Sequence, residues 1–283
     1  VRDILAGGNR RLLARVAASD ALLAFDYDGT LAPIVRDPEA ARLGERTRSL
    51  LGRLAGAYPC LIVSGRSRRD VRRRLTGIRD LEIIGNHGAE PRRPDPAYAA
   101  RVRGWLPRLE GRLGGLPGLT IENKGFSVAV HYRRSRARRQ ARAAILSAAA
   151  QIGGVRAVGG KSVVNLVPHD APHKGAAVQA ARATRRCDVA LYVGDDETDE
   201  DVFALGDPLR LLTVRVGRKR RSRAAFYIRD QRRIDVLLER LLTLRHEFWR
   251  QRAAAPEGVP CRRAPVVSSR ARAARRRKRP GHP

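Results

Sequence analysis

The stretch "LLAFDYDGTLAPIV", residues 22–35, decides how this chain is read. An apolar run too short for a helix ends on two aspartates one residue apart, Asp26 and Asp28, with a "DGT" turn behind them. Similar short, nearly continuous apolar runs stand at "CLIV" (60–63), "LEII" (81–84), "VALYV" (189–193) and "LLTVRV" (211–216). Strands buried on both faces read in this way. Helical patterns at 44–58, 68–77, 174–184 and 199–206 alternate with them. The expected core is therefore α/β, a parallel sheet with helices on both faces and right-handed crossovers.

The middle of the chain breaks that rhythm. After the loop signal "PRRPDP" (91–96), "FSVAVHYR" (126–133) alternates with period two, as a strand exposed on one face does, and an Ala/Arg helical pattern follows at 136–151. The expectation is an inserted α+β domain. It divides the chain into a first core segment (1–93), the insertion (94–168), a second core segment (169–250) and a basic tail (251–283) too poor in apolar residues to fold.

The 283 residues carry a formal charge of +30. Nine of the basic residues and no acid lie from Gly258 onward, which leaves +21 on residues 1–257. Only five of the 58 basic residues are lysine, a general arginine preference rather than a groove selected for one polymer. Such a field attracts anions, and nucleic acid nonspecifically, in a salt-dependent way. Aromatics are only 5% and none lies in 258–283, so no specific nucleic-acid platform is expected; binding through the arginine-rich tail is the reading of another class. No run of 18 apolar residues appears, and residues 1–25 lack the order of a secretory signal. The expectations are a cytoplasmic protein, no membrane partner and a monomer. Cys60, Cys187 and Cys261 are scattered, which supports neither a disulfide framework nor a zinc site, and Cys60 reads as a core residue.

In a parallel sheet, ligands bind beyond the carboxyl ends of the strands. Four polar clusters follow such ends: Asp26 with Asp28, Ser64-Gly65-Arg66, Asn86-His87-Gly88, and "GDDETDED" at 194–201. Singly, each reads as a turn former or helix cap, Ser64 included; together they converge on one rim. Crowded carboxylates need a cation, and Mg2+ suits them because it takes one or two carboxylates, waters and a substrate phosphate. With Mg2+ and Lys174 screening charge, an ionised Asp26 would attack phosphorus, and Asp28 would carry protons to the leaving group and from the hydrolytic water. Ser64, with backbone N–H groups about Gly65, and Lys174 would hold the phosphoryl oxygens.

"DYDGTL", "SGR", Lys174 in "HKGAAV" and "GDDETDEDVF" resemble, in order, the four motifs of the haloacid dehalogenase superfamily. Within it, "GNHGAE" (85–90) and "GDDETDE" are similar to the trehalose-6-phosphate phosphatases, over roughly residues 20–245. The resemblance implies a Rossmann-like core with an α/β cap, and Mg-dependent hydrolysis of trehalose 6-phosphate, the last step of trehalose biosynthesis. It implies Asp26 as nucleophile, Asp28 as acid/base, and Mg2+ on the Asp26 side chain, the Asp28 carbonyl and Asp195, with Asp199 supporting from behind. It also implies sugar contacts from Glu122, Lys124, His131 and Arg133 in the cap. At the cap's exit that family tends to read V-x-E-x-R-P, whereas "VVNLVP" places Asn165 and Val167 at the glutamate and basic positions. Asn165 keeps hydrogen bonding without charge. A phosphatase of another sugar phosphate, of the sucrose-phosphate or glycosylglycerate-phosphate type, is the alternative. A catalytically silent regulatory relative is disfavoured, because every chemical position of the core is occupied.

Overall fold

The computed structural model describes residues 2–35, 37–207 and 209–254. Most of the basic tail, and with it Cys261, lies outside these. Two sheets organise the chain. The first has the order β1 (Arg2–Asp3), β11 (Phe226–Ile228), β10 (Leu211–Val216), β9 (Val189–Gly194), β2 (Ala21–Phe25), β3 (Cys60–Val63), β4 (Leu81–Ile84), and every pairing in it is parallel. The five expected strands lie side by side, from β10 to the edge strand β4. The two strands at the opposite end, β1 and β11, are short and contain charged or polar residues, and carried no such signal in the sequence.

Strand β2 shows why an all-apolar run specifies a central strand. Ala21, Leu23 and Phe25 enter one core with Leu13 and Val16 of α1 (Arg10–Ala18), Leu50, Leu51 and Leu54 of α2 (Glu45–Ala57), Val71 of α3 (Arg68–Arg74) and Leu237 and Leu241 of α8 (Ile234–Ala253). Leu22 and Ala24 point the other way, into a core with Val178 of α6 (Lys174–Thr184) and Phe203 of α7 (Glu200–Phe203). Each buried leucine of this kind contributes about 1.5–3 kcal/mol. The helix expected over 199–206 is a single turn, Glu200–Phe203, followed by a turn at Ala204–Leu205. Helix α8 runs three residues past the expected boundary at 250.

The second sheet is antiparallel throughout, ordered β5 (Thr120–Asn123), β6 (Val128–His131), β8 (Val163–Pro168), β7 (Val155–Gly160). Val128, Val130, Val164 and Leu166 pack under α4 (Pro96–Leu113) and α5 (Arg138–Ile152). Helix α4 begins where the Asp95 carboxylate accepts from the Ala97 amide, with Pro96 in the first turn. It then buries Val102, Trp105, Leu109 and Leu113 at helical spacing, and this packing carries it through Pro107. Because strand side chains alternate, the other face presents Thr120, Glu122, His131, Val163 and Asn165 to the rim of the first sheet. Among the described residues, no helix is long and apolar enough to cross a membrane.

Candidate active site

The ladder between β2 and β9 runs one residue past the strand: the Asp26 amide donates to the Val193 carbonyl at 2.9 Å. That delivers Asp26 and the loop after Gly194 side by side at the centre of the sheet. Asp26, 4% exposed, receives a 2.9 Å hydrogen bond on Oδ1 from Lys174 Nζ, which also donates to Asp199 Oδ1 at 2.8 Å. Burial favours a neutral lysine, but the Asp199 and Asp26 carboxylates outweigh it and hold Lys174 charged. Burial also raises the Asp26 carboxyl well above its usual range; Lys174 opposes that shift, and Asp199 and Asp195 add to it.

One oxygen each of Asp26, Asp195 and Asp199 lies within 4.8 Å of the others, an all-oxygen set able to hold a divalent metal. The three are not equivalent. Both Asp199 oxygens are taken, Oδ1 by Lys174 and the Tyr192 hydroxyl and Oδ2 by the amides of Asp195 and Asp196. Asp195 Oδ1 is buried and has no hydrogen-bond partner, and burial with Asp199 and Asp196 pushes its carboxyl up to about 7. The Asp195 carboxylate fills the space beside Gly29, where φ is +82° and a Cβ would collide with it. A buried oxygen with no donor, in a cradle kept open by glycine, fits a cation.

Asp28 stands apart from the cluster. Its carboxylate is gripped at both oxygens by Arg66, Nε to Oδ2 at 2.7 Å and Nη2 to Oδ1 at 2.8 Å. Arg66 is anchored in turn on Asp70, 2.9 Å away. Burial alone would raise the Asp70 carboxyl, but hydrogen bonds from Arg74, Arg73 and Arg66 outweigh it and hold it well below the usual range.

Asp26, Asp28, Gly65, Glu122, Lys124, His131, Arg133, Asn165, Lys174 and Asp195 line one cavity of about 1130 Å³. Ser64 and Asp199 do not: both are fully buried behind it. The Ser64 hydroxyl accepts from the Arg66 amide at 3.1 Å, and the cap of α3 is Ser67 instead. On the far wall, Glu122 and His131 pair at 2.8 Å. Lys124 Nζ reaches the Gly65 carbonyl at 3.4 Å and Asn165 Oδ1 at 3.3 Å, so the second sheet touches the loop after β3. The 85–90 loop reinforces that contact, with Asn86 bonded to Ser127 and to the Lys124 carbonyl. Asn86 and His87 both have positive φ. The His87 ring packs where a Cβ on Gly65 would lie, and burial, with Lys174 and Lys124, drops its pKa to about 3.

Sequence reasoning gave no role to Arg66, Tyr192 or Arg215. Tyr192 and Arg215 did carry a signal: Tyr192 brings a hydroxyl to an otherwise apolar buried strand, and Arg215 is the one charged residue of a fully buried one. Arg66 carried none, because its partner Asp28 is 38 residues away.

A parallel sheet with this acidic rim and an inserted antiparallel sheet defines a haloacid dehalogenase-like core bearing a cap. The trehalose-phosphatase family model matches residues 24–226, and the chain belongs to that family. It is 37% identical over 196 residues to the trehalose-phosphate phosphatase of Mycobacterium ulcerans (strain Agy99), covering 63% of this chain and 50% of the relative. It is 33% identical over 237 residues to that of Mycobacterium tuberculosis (strain H37Rv), covering 71% of this chain and 58% of the relative. The chain thus spans about half the length of the curated relatives it matches. Among solved structures, a trehalose-6-phosphate phosphatase related protein superposes with a TM-score of 0.67 at 27% identity, over 80% of this chain and 99% of that one. The C-terminal domain of the Candida albicans trehalose-6-phosphate phosphatase gives a TM-score of 0.67 at 24% identity, over 84% and 97%, and shows the fold.

Proposed function

We propose that this chain is a cytoplasmic, Mg2+-dependent phosphatase that hydrolyses trehalose 6-phosphate to trehalose and phosphate, with residues 94–168 acting as its cap. The observation that carries the reading is the buried Asp26–Lys174 pair beside the partnerless oxygen of Asp195, at the floor of a cavity walled by hydrogen-bonding cap residues. Bound Mg2+, on Asp26, Asp195 and the Asp28 carbonyl, supplies positive charge that keeps the carboxylates ionised and polarises the phosphoryl group.

The chain's own residues do the rest. The Asp26 carboxylate attacks phosphorus and the bond to the sugar oxygen breaks, leaving an aspartyl phosphate on Asp26. Both Asp28 oxygens accept from Arg66, so Asp28 first parts from Arg66 and takes up a proton from solvent, and then gives that proton to the departing sugar oxygen. It then takes one from the water that attacks the same phosphorus, which frees phosphate and restores Asp26. Lys174 offsets charge on Asp26 and on the phosphoryl oxygens, with amides of the Ser64–Gly65 turn. Ser64 itself acts by shaping that turn. Glu122, Lys124, His131, Arg133 and Asn165 bind sugar hydroxyls, and the cap keeps bulk water out.

A second reading, a phosphatase of another sugar phosphate, is favoured by Asn165, which meets Lys124 with an amide oxygen rather than a carboxylate. A panel of sugar phosphates assayed with Mg2+ tests both. Trehalose 6-phosphate is expected to give the highest kcat/KM; a rank well below a sucrose or glycosylglycerate phosphate would replace the first reading by the second.

A further inference from the structure

Strand β10 carries one charge in its interior, Arg215, in a run every residue of which is buried. A buried guanidinium is costly unless its donors are satisfied. Here they go to one place. Nη2 donates to the Asp195 carbonyl, and Nη1 to the Asp196 carbonyl at 3.0 Å and to Glu200 Oε1 at 3.0 Å. The register explains the reach: Arg215 pairs with Gly194, the residue at which β9 ends and the acidic loop begins.

The backbone of the two residues that follow Gly194 is therefore held from both sides. Asp199 Oδ2 accepts from the amides of Asp195 and Asp196, and Arg215 donates to the carbonyls of the same residues. Glu200 closes the frame, since its other carboxylate oxygen accepts from the Arg223 amide at 2.9 Å and ties α7 to the segment after β10. Such a frame fixes the direction of the Asp195 side chain, whose Oδ1 has no protein partner of its own.

We infer that Arg215 is a positioning residue for the divalent-cation site: it clamps the backbone of the acidic loop so that Asp195 is aimed before the cation arrives. The inference rests on the metal reading made under the proposed function. Outer residues that orient a ligand typically alter metal affinity by about 10–100-fold when removed. Arginine suits the task because its planar fork spans two adjacent carbonyls, which a single ammonium does not.

The test is calorimetric titration of the full chain, without substrate, with MgCl2 or MnCl2, for wild type, Arg215→Met and Arg215→Lys, with thermal unfolding recorded before and after metal. Arg215→Met is expected to weaken cation affinity about tenfold or more and to shrink the metal-induced rise in Tm. Arg215→Lys, able to hold one carbonyl, should fall between. A purely structural arginine would lower the metal-free Tm and leave the cation affinity at the wild-type value; that result overturns the inference. If Arg215→Met does not fold, Arg215→Lys decides on the same criterion, unchanged affinity overturning and weakened affinity supporting. A wild-type chain that binds neither cation would instead bring down the metal reading, and this inference with it.

Discussion

The two sheets of this molecule build a site by opposite means. The parallel sheet brings acids together out of solvent: Asp26 and Asp199 are 4% and 0% exposed, and one lysine ammonium lies between them. The antiparallel sheet leaves Glu122 and His131 partly open on its polar face, and the helices and turns around it carry spread-out charge. Residues 96–169 hold thirteen Arg or Lys against two Asp or Glu, a net +11, whereas the rest of residues 1–257 balances to +10. One region concentrates buried, mutually paired charge, and the other offers exposed contacts around it. Substitutions in the first should therefore be severe and specific, and in the second graded.

Asp26→Asn gives the largest expected effect, a loss of kcat on the order of 10⁴-fold or more with the fold kept, since only the nucleophile's charge is removed. Steady-state rates with circular dichroism check it, and retained turnover would overturn the nucleophile assignment. Lys174→Met comes next and reads as stability: two buried carboxylates lose their counterion, at a cost of about 3–5 kcal/mol. A urea midpoint corresponding to less than 1 kcal/mol would mean that the buried pair is not what holds the rim together.

On the cap side, Glu122→Gln should lower kcat/KM for trehalose 6-phosphate roughly tenfold, through KM, without a matching fall in stability. An effect as large as that of Asp26→Asn would erase the contrast between the regions. Asp70→Asn sharpens it. The folded Asp70 carboxyl is held below its unfolded value of about 4, so its contribution is present above that pH and is lost as pH falls toward the folded pKa. The variant should be less stable than wild type by about 1 kcal/mol at neutral pH, after allowance for solvent screening, with the gap closing between pH 4 and pH 2. The smallest effect belongs to removal of residues 258–283, which should leave kcat/KM unchanged; a fall would assign the basic tail a part in catalysis.

Much of the core was legible in the sequence because a strand buried on both faces has no choice of composition. "ALLAF", "CLIV" and "VALYV" read as they fold, and the acids behind them fall at the strand ends. Legibility failed where a partner is distant in sequence or where packing overrides local signals. Nothing in "SGR" says that Arg66 will grip Asp28 at both oxygens. The "GWLPRLEGRLGGL" stretch, with its proline and glycines, gave no helical expectation, yet Trp105, Leu109 and Leu113 draw it into α4 against the cap sheet. Of the candidate site residues, only Ser64 and Asp199 lie behind the cavity rather than on it. Hydroxyl and carboxylate side chains at a strand end look alike whether they face a ligand or the loop that faces one.

The position of β9 between β2 and β10 also bears on how the chain is made. Asp26 emerges from a ribosome before the cap does, but the lysine that partners it follows 148 residues later, and the strand that pairs β2 on that side later still. Until then the first strands and the whole cap are present with the inner edge of β2 unpaired. A nascent chain of this protein thus completes its cap while the proposed nucleophile still lacks both its lysine and the neighbouring strand, so the rim of the first sheet is assembled last.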